Sequence, residues 1–184
     1  MGRVLEAALR LTGEIPRQVE VFATSPLQAL AHLNAIVAHG FVPADELGRP
    51  RSNDLADDPL HLGALLPASA AADRLAGLAQ VLTQPTEAPA LVVAAIAHAE
   101  IASVRPFAWG SGLLARASVR LVLAGRGVDP SLFSIPEHGM FEIGRPAYVN
   151  ALRAYSTGTS AGVSSWIVWQ ATAIALGAKA VVVP

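Results

Sequence analysis

The stretch from Val104 to Arg116 reads VRPFAWGSGLLAR and separates two apolar runs of the chain. Proline cannot continue a helix, so Pro106 ends the first run, Ala90 to Val104. That run is apolar on nearly every side, which predicts a centrally buried helix. Ser111 is a typical N-cap residue, and a second central helix is expected from about Ser111 to Ala124. The stretch therefore predicts a loop that joins two core helices.

Helical signals also dominate on both sides of this centre. Ser25-Pro26 is a cap followed by proline at the first helical position, and Gly40 ends the helix that begins there. Residues 41–67 are rich in Pro, Gly, Asp and Asn and are expected to form a long irregular segment or a small β-hairpin. Further helices are predicted at about 69–84, 146–155 and 163–176, and a short apolar tail with β-branched valines at 178–184. The prediction is one all-α domain, residues 1–184, of about six or seven helices.

Composition excludes several classes of protein. Hydrophobic residues make up 53% of the chain and charged residues 15%. Each of the richest apolar windows is interrupted by polar residues, so no membrane span of roughly 20 residues is predicted. The net charge of −1 and the single lysine argue against nucleic-acid binding. The chain has no cysteine and no recognisable signal peptide, so a cytoplasmic location is expected.

The glycines of the central loop suggest an anion site. Gly110 and Gly112 bracket Ser111 immediately before a helix, where free backbone N–H groups and the positive end of the helix dipole favour an anion. Arg105 and Arg116 flank this position with positive charge. The alternative is a tight helix-to-helix turn with an ordinary serine cap, because a lone Gly-x-Gly is weak evidence.

The same stretch resembles the Fic motif, H-P-F-x-[D/E]-G-N-G-R-x-x-R. The resemblance extends to about residues 25–177, including His98 before the motif, the Leu123-Ala-Gly125 helix end, and a flap-like segment within 41–67. It implies a Fic fold, and it implies nucleotidyl transfer from ATP and Mg²⁺ to a protein hydroxyl. The matching motif residues are Pro106, Phe107, Gly110, Gly112 and Arg116.

Departures from the motif fall on its catalytic positions. The resemblance puts Arg105 where the family has its general base, and a guanidinium stays protonated and cannot accept a proton. Trp109 replaces the acidic Mg²⁺ ligand and offers no oxygen. Ser111 and Leu113 replace the motif asparagine and first arginine. We therefore expect a degenerate site in which Trp109 folds inward over the former metal position.

Other titratable residues are weaker candidates. His98 lies two helical turns before Arg105, about 10 Å along the axis, and is expected to be a core histidine with satisfied hydrogen bonds. Glu100 is expected to be a capping or solvated carboxylate. His138 and Glu142 form the only other acid–base cluster, and His61, beside Asp57-Asp58, could reach the loop if the flap folds over it. The inhibitory Fic motif [S/T]-x-x-x-E-[G/N] has no convincing match, since Thr83 to Glu87 lies in a proline-broken region.

Three functions follow from these residues. The first is a Fic-fold protein without AMP transfer that binds a protein partner or a small anion and needs no cofactor or metal. The alternative is an active nucleotidyl or phosphoryl transferase that uses ATP and Mg²⁺ at a rewired site, and the third is a structural or assembly role. A homodimer is expected from the apolar composition and from the family's habits. No residue is assigned as catalytic, and the candidate anion- or nucleotide-binding loop consists of Arg105, Pro106, Phe107, Trp109, Gly110, Ser111, Gly112 and Arg116.

Overall fold

The computed structural model describes residues 2–180. Eight α-helices and one short 3₁₀ turn, Ala44–Glu46, make up the regular structure of this part of the chain. No β-strand occurs among these residues, which contain a single isolated bridge between His39 and Val42. The all-α prediction is confirmed. The helices are α1 (Gly2–Thr24), α2 (Pro26–Ala38), α3 (Ala68–Thr83), α4 (Ala90–Val104), α5 (Ser111–Gly125), α6 (Pro136–Ile143), α7 (Arg145–Ser156) and α8 (Ser160–Lys179).

Helix α4 lies at the centre of the molecule. Its small side chains, many of them alanine, are buried on every side, and it packs against α3, α5, α7 and α8. Its bounds are those that the apolar run predicts. Helix α5 contacts α4 most extensively and also packs against α1 and α2. The loop between them therefore starts and ends on the two most enclosed helices.

The first helix was not predicted from the sequence. Helix α1 buries Leu11, Ile15 and Phe22 against α2 and α5. Pro16 lies in its interior and obscures the pattern, because proline usually ends or kinks a helix. The packed core therefore begins well before residue 25.

Helix α6 lies in a segment, residues 129–145, for which no helix was predicted from the sequence. It packs closely on α8 because glycines allow the two backbones to meet. A Cβ at Gly139 would lie 1.9 Å from the Ala173 carbonyl oxygen, and one at Gly177 would lie 2.1 Å from that of Ile135. Such contacts depend on the neighbouring helix and leave little periodic signal in the sequence.

Helix α8 is long and apolar enough, at 20 residues, to cross a membrane by length and composition alone. In the fold it packs against α4, α6 and α7. Trp166 and Gln170 on this helix are fully buried. The valine tail that the sequence analysis considered falls mostly at 181–184, outside the described residues, while Ala178 and Lys179 extend α8.

Of the two alternatives predicted for residues 41–67, the long irregular segment forms and the β-hairpin does not. Apart from the 3₁₀ turn this segment has no regular structure, and residues 51–66, which we name the strap, cross the loop between α4 and α5. Arg51 donates to the carbonyl oxygens of Asn53 (2.8 Å) and Leu66 (2.6 Å), which joins the two ends of the strap. A hairpin would need these backbone groups to pair with each other, whereas here an arginine side chain pairs with them.

Candidate functional site

The central loop begins with a left-handed residue at the end of α4. Arg105 has φ 50°, and Gly110, before α5, has φ 85°. Left-handed backbone is unfavourable for a residue with a Cβ and favours glycine. A Cβ at Gly110 would also lie 2.9 Å from Val37 Cγ2. Gly110 is therefore required by the turn itself.

The Arg105 side chain is buried and is held by the strap. It is only 5% exposed. Nη1 forms an ion pair with Asp58 at 2.9 Å, and Nη2 donates to the carbonyl oxygens of Gly63 (2.9 Å) and Ala64 (3.0 Å). The guanidinium thus faces the chain's own carboxylate and carbonyls.

The strap also pairs with the backbone of the loop. The N–H of Arg51 donates to Pro106 O (2.8 Å), and the N–H of Asp57 donates to Ala108 O (2.9 Å). Arg51 Nε donates to Arg105 O at 2.9 Å. Three loop carbonyls are therefore occupied by the strap.

Two of the three strap carboxyls, Asp57 and Asp58, have opposite pKa shifts. Burial raises the pKa of Asp57, and the nearby Gly110 N–H and Arg105 charge oppose that shift without cancelling it. Burial also acts to raise the pKa of Asp58, but the N–H groups of Leu62 and Gly63, together with Arg105, outweigh it and lower the pKa. Asp58 is therefore the carboxylate that neutralises Arg105.

Trp109 lies against a ring from the segment after α2. Its indole stacks on Phe41 with ring centroids 3.8 Å apart and planes 6° from parallel. Asn34 donates through Nδ2 to the Trp109 carbonyl (3.0 Å) and accepts through Oδ1 from the Gly48 N–H (3.1 Å). Trp109 is half-buried and offers no ligand oxygen to a metal.

The start of α5 differs in detail from the sequence analysis. Gly110 occupies the N-cap position, and Ser111 is the first residue of the helix. The Ser111 hydroxyl is buried and makes two long hydrogen bonds, both 3.4 Å, with the N–H and carbonyl of Phe107. Gly112 has helical backbone, and a Cβ added there would lie 3.9 Å from Nη1 of Arg116. The Arg116 guanidinium therefore lies over the first turn of the helix.

Arg116 also faces a buried pair of polar rings. His98 Nε2 lies 2.7 Å from the Tyr148 hydroxyl. Burial, aided by the positive charge of Arg116, lowers the pKa of His98 to about 3. Burial raises the pKa of Tyr148 to about 12, although Arg116 opposes this shift. His98 is therefore a neutral core residue, as expected, although its Nδ1 has no hydrogen-bond partner among the described residues.

Glu100 is neither a cap nor a solvated carboxylate, so that expectation was wrong. It accepts hydrogen bonds from Arg74 and from the Tyr155 hydroxyl, and its side chain is 12% exposed. Burial, followed by the effect of Glu100, raises the pKa of Tyr155. These partners come from α3 and α7, so only the tertiary fold could reveal them.

The remaining candidates, His138, Glu142 and His61, do not place a reactive side chain at the loop. His138 and Glu142 form an exposed pair on α6, 3.1 Å apart. His61 lies in the strap with a left-handed backbone (φ 53°), and its carbonyl accepts from Arg153 (2.6 Å). The strap does fold over the loop, but Asp58 is the residue that pairs with Arg105. The role of Arg51 was not predicted from the sequence, because no repeating pattern marks a single buried arginine in an irregular segment.

The Mg²⁺ ion that the resemblance implies does not fit the side chains present. The resemblance places Trp109 at the ligand position, and residues 2–180 contain no group of three or more His, Cys, Asp or Glu side chains that could hold a metal. A divalent cation prefers several carboxylate or carbonyl oxygens, and the Arg105 guanidinium would repel it. The side chains of this loop therefore do not suit a bound Mg²⁺ ion.

No protein-family model and no curated relative matches the sequence. Among solved structures, the chain is similar to a Fic family protein from Desulfovibrio desulfuricans G20, with a TM-score of 0.71 and 19% identity. The match covers 97% of this chain and 53% of that chain, so this chain spans about half the length of its neighbour. The chain therefore has the Fic fold, as the resemblance implied. Likeness at this identity establishes the fold and leaves activity to the residues of the site.

Proposed function

We propose that this Fic-fold protein does not transfer AMP and acts as a binding or regulatory protein. The observation that carries the proposal is the state of Arg105. It stands where the family resemblance places a general base, and it is buried, charged and bound to Asp58 and to two strap carbonyls. A guanidinium in this environment cannot remove a proton from a hydroxyl.

The start of α5 supports a remaining role in binding. Gly110 is needed by the turn, but Gly112 is helical and has room for a side chain. Glycine is unfavourable in a helix relative to alanine. The Arg116 guanidinium lies over this glycine and forms no ion pair with a carboxylate of residues 2–180. A weak anion contact at Gly112 and Arg116 fits this arrangement.

The same arginine is the one feature that favours the alternative function. A cation over a helix start can stabilise charge on a transferring phosphoryl group, as positioning and charge neutralisation account for most of such catalysis. A rewired nucleotidyl or phosphoryl transferase would need a base and a metal site as well. The described loop supplies neither, so we place this function second.

The test is incubation of the purified chain and lysate proteins with labelled ATP and Mg²⁺ or Mn²⁺. We expect no transfer of AMP by the wild-type chain. Arg105→His alone should not create it, because Trp109 still provides no metal ligand. Calorimetry should find no ATP affinity tighter than millimolar and no gain on adding Mg²⁺. Robust labelling that Arg116→Ala abolishes would overturn the proposal and support the transferase.

A further inference from the structure

The strap is attached to the molecule mainly by arginine side chains. Arg105 binds Asp58 and two carbonyls, as described above, and α7 contributes two further arginines. Arg145 donates to Pro59 O (2.5 Å), and Arg153 donates to His61 O (2.6 Å). Both of these hydrogen bonds are exposed to solvent. Water can replace such bonds at little net loss, so they hold the strap less firmly than burial would.

Burial holds the strap only in part. Leu60 and Leu62 pack partly buried against the core, but none of residues 52–66 is fully buried, and Leu55 is 72% exposed. Two residues of the strap have positive φ, His61 at 53° and Gly63 at 103°. A surface segment with few buried apolar contacts and solvent-exposed hydrogen bonds is the kind that opens locally without global unfolding.

The strap covers the polar groups of the loop. Asp58 and the carbonyls of Gly63 and Ala64 are the partners that occupy the Arg105 guanidinium. If the strap moved away, Arg105 would lose these partners while the buried core beneath the loop stayed packed. Its positive charge would then be available to an external anion.

We propose that the strap is a releasable latch that keeps Arg105 from meeting an external anion. Opening the latch switches the loop from a closed state, in which Arg105 is paired with Asp58, to an open state in which the Arg105 guanidinium is available. The proposal rests on the proposed function, because it concerns access to the loop through which binding occurs.

Hydrogen–deuterium exchange of the full chain tests whether the latch opens. Amides of residues 52–66, including the Asp57 N–H bonded to Ala108, should exchange at least about a hundredfold faster than those of α4 and α5. Arg153→Gln, which removes only the bond to the His61 carbonyl, should accelerate strap exchange further and leave α4 and α5 unchanged. Strap amides that exchange only as slowly as α4 and α5 would overturn the latch.

Binding of inorganic phosphate, followed by the amide resonances of Gly110 to Gly112, tests what the latch guards. Asp58→Asn keeps the shape of the side chain and removes its charge, and it should raise phosphate affinity about tenfold over wild type because Arg105 loses its counter-charge. Asp73→Asn is the control, since it removes the same charge from an exposed position on α3. Equal affinities for the two variants would show that the strap does not guard Arg105.

Different results would contradict the proposed function and the latch. AMP transfer by the wild-type chain would contradict the proposed function. It would not change the measured strap exchange or phosphate affinity, which test the latch. If Asp58→Asn does not fold, phosphate titration of Arg153→Gln replaces it, and an affinity equal to that of wild type, despite faster strap exchange, would overturn the latch. A gain in affinity with no AMP transfer supports both proposals.

Discussion

The loop between α4 and α5 and the strap that crosses it are both irregular, but they are held in different ways. The loop buries Pro106 and Phe107, and both of its ends lie on core helices. Residues 52–66 of the strap include no fully buried side chain; Leu60 and Leu62 are partly buried against the core, and arginines from distant elements hold the rest. The difference shows that an irregular backbone can be fixed by packing or by hydrogen bonds, and that the two kinds should respond differently to mutation, pH and ligands.

The largest expected difference between the two regions is in the free energy of unfolding lost when one apolar side chain is truncated in each. Phe107 is 1% exposed, and Phe107→Ala should lower the free energy of unfolding by about 3–5 kcal/mol because it leaves a cavity in the core. Leu55→Ala in the strap should change it by less than about 0.5 kcal/mol, since this side chain is 72% exposed. Urea denaturation measures both, and equal losses would contradict the distinction between the regions.

Acid should weaken the core before it weakens the strap. The folded-state pKa of His98 is about 3, well below its ordinary value of 6.5. The unfolded chain therefore binds a proton below pH 6.5 that the folded chain excludes, and stability should fall by up to about 1.4 kcal/mol per pH unit from pH 6.5 towards 3. Asp58 has a lowered pKa, so its stabilising effect is present above 3.8 and is lost only at lower pH.

Urea denaturation at pH 6, 5 and 4 measures this dependence. His98→Asn should be less stable at neutral pH but should lose less stability between pH 6 and 4 than the wild-type chain. The strap exchange rate relative to α4 should meanwhile stay governed by the intact Asp58–Arg105 pair. An identical pH slope in the His98→Asn variant would contradict the assignment of acid sensitivity to the core.

Substituting Gly110 or Gly112 by alanine should change the free energy of unfolding least, and in opposite directions. Gly110→Ala forces a Cβ into left-handed backbone and against Val37, so it should cost about 1–2 kcal/mol of stability. Gly112→Ala should be neutral or stabilise by up to about 1 kcal/mol, because alanine favours the helix. Thermal melts compare the two, and a large loss from Gly112→Ala would mean that the helix start needs this glycine for folding.

Phosphate binding should separate these glycines further. A side chain at position 112 would stand near Nη1 of Arg116 and should weaken phosphate binding in the Asp58→Asn background even where stability is unchanged. Phosphate affinity unaffected by Gly112→Ala would place the anion contact elsewhere on the loop. This measurement therefore distinguishes a turn glycine from a binding glycine.

The ends of a helix were predictable where a proline or a glycine lies at the helix end. Pro106 and the apolar run before it define α4, and Gly110-Ser111 marks the start of α5, because proline and glycine act locally on the backbone. Helix α1 was missed since Pro16 interrupts its pattern, and α6 was missed since its stability comes from glycine contacts with α8. Both depend on neighbours that are distant in sequence.

The candidate site divides in the same way. The sequence indicated the glycine turn and the two flanking arginines, because those follow from residue chemistry at fixed spacing. Its resemblance to the Fic motif implied that Arg105 and Trp109 replace the family's base and metal ligand. The sequence did not indicate that Glu100 binds Arg74 and Tyr155, that Trp109 stacks on Phe41, or that Asp58 occupies Arg105. Each of these contacts joins elements at least 26 residues apart in the chain.

By itself, then, the sequence determined an all-helical fold with a loop between two core helices, since helix propensity and proline geometry are local properties. Its resemblance to the Fic motif implied the Fic fold and put Arg105, which cannot act as a base, at the position of the family's base. Only the tertiary structure decided where the charge of Arg105 is neutralised, and that the segment predicted to be irregular or a hairpin is a strap held by arginines. Those outcomes depend on which polar groups meet in space, because a buried donor binds whatever acceptor the packing of the helices brings within reach.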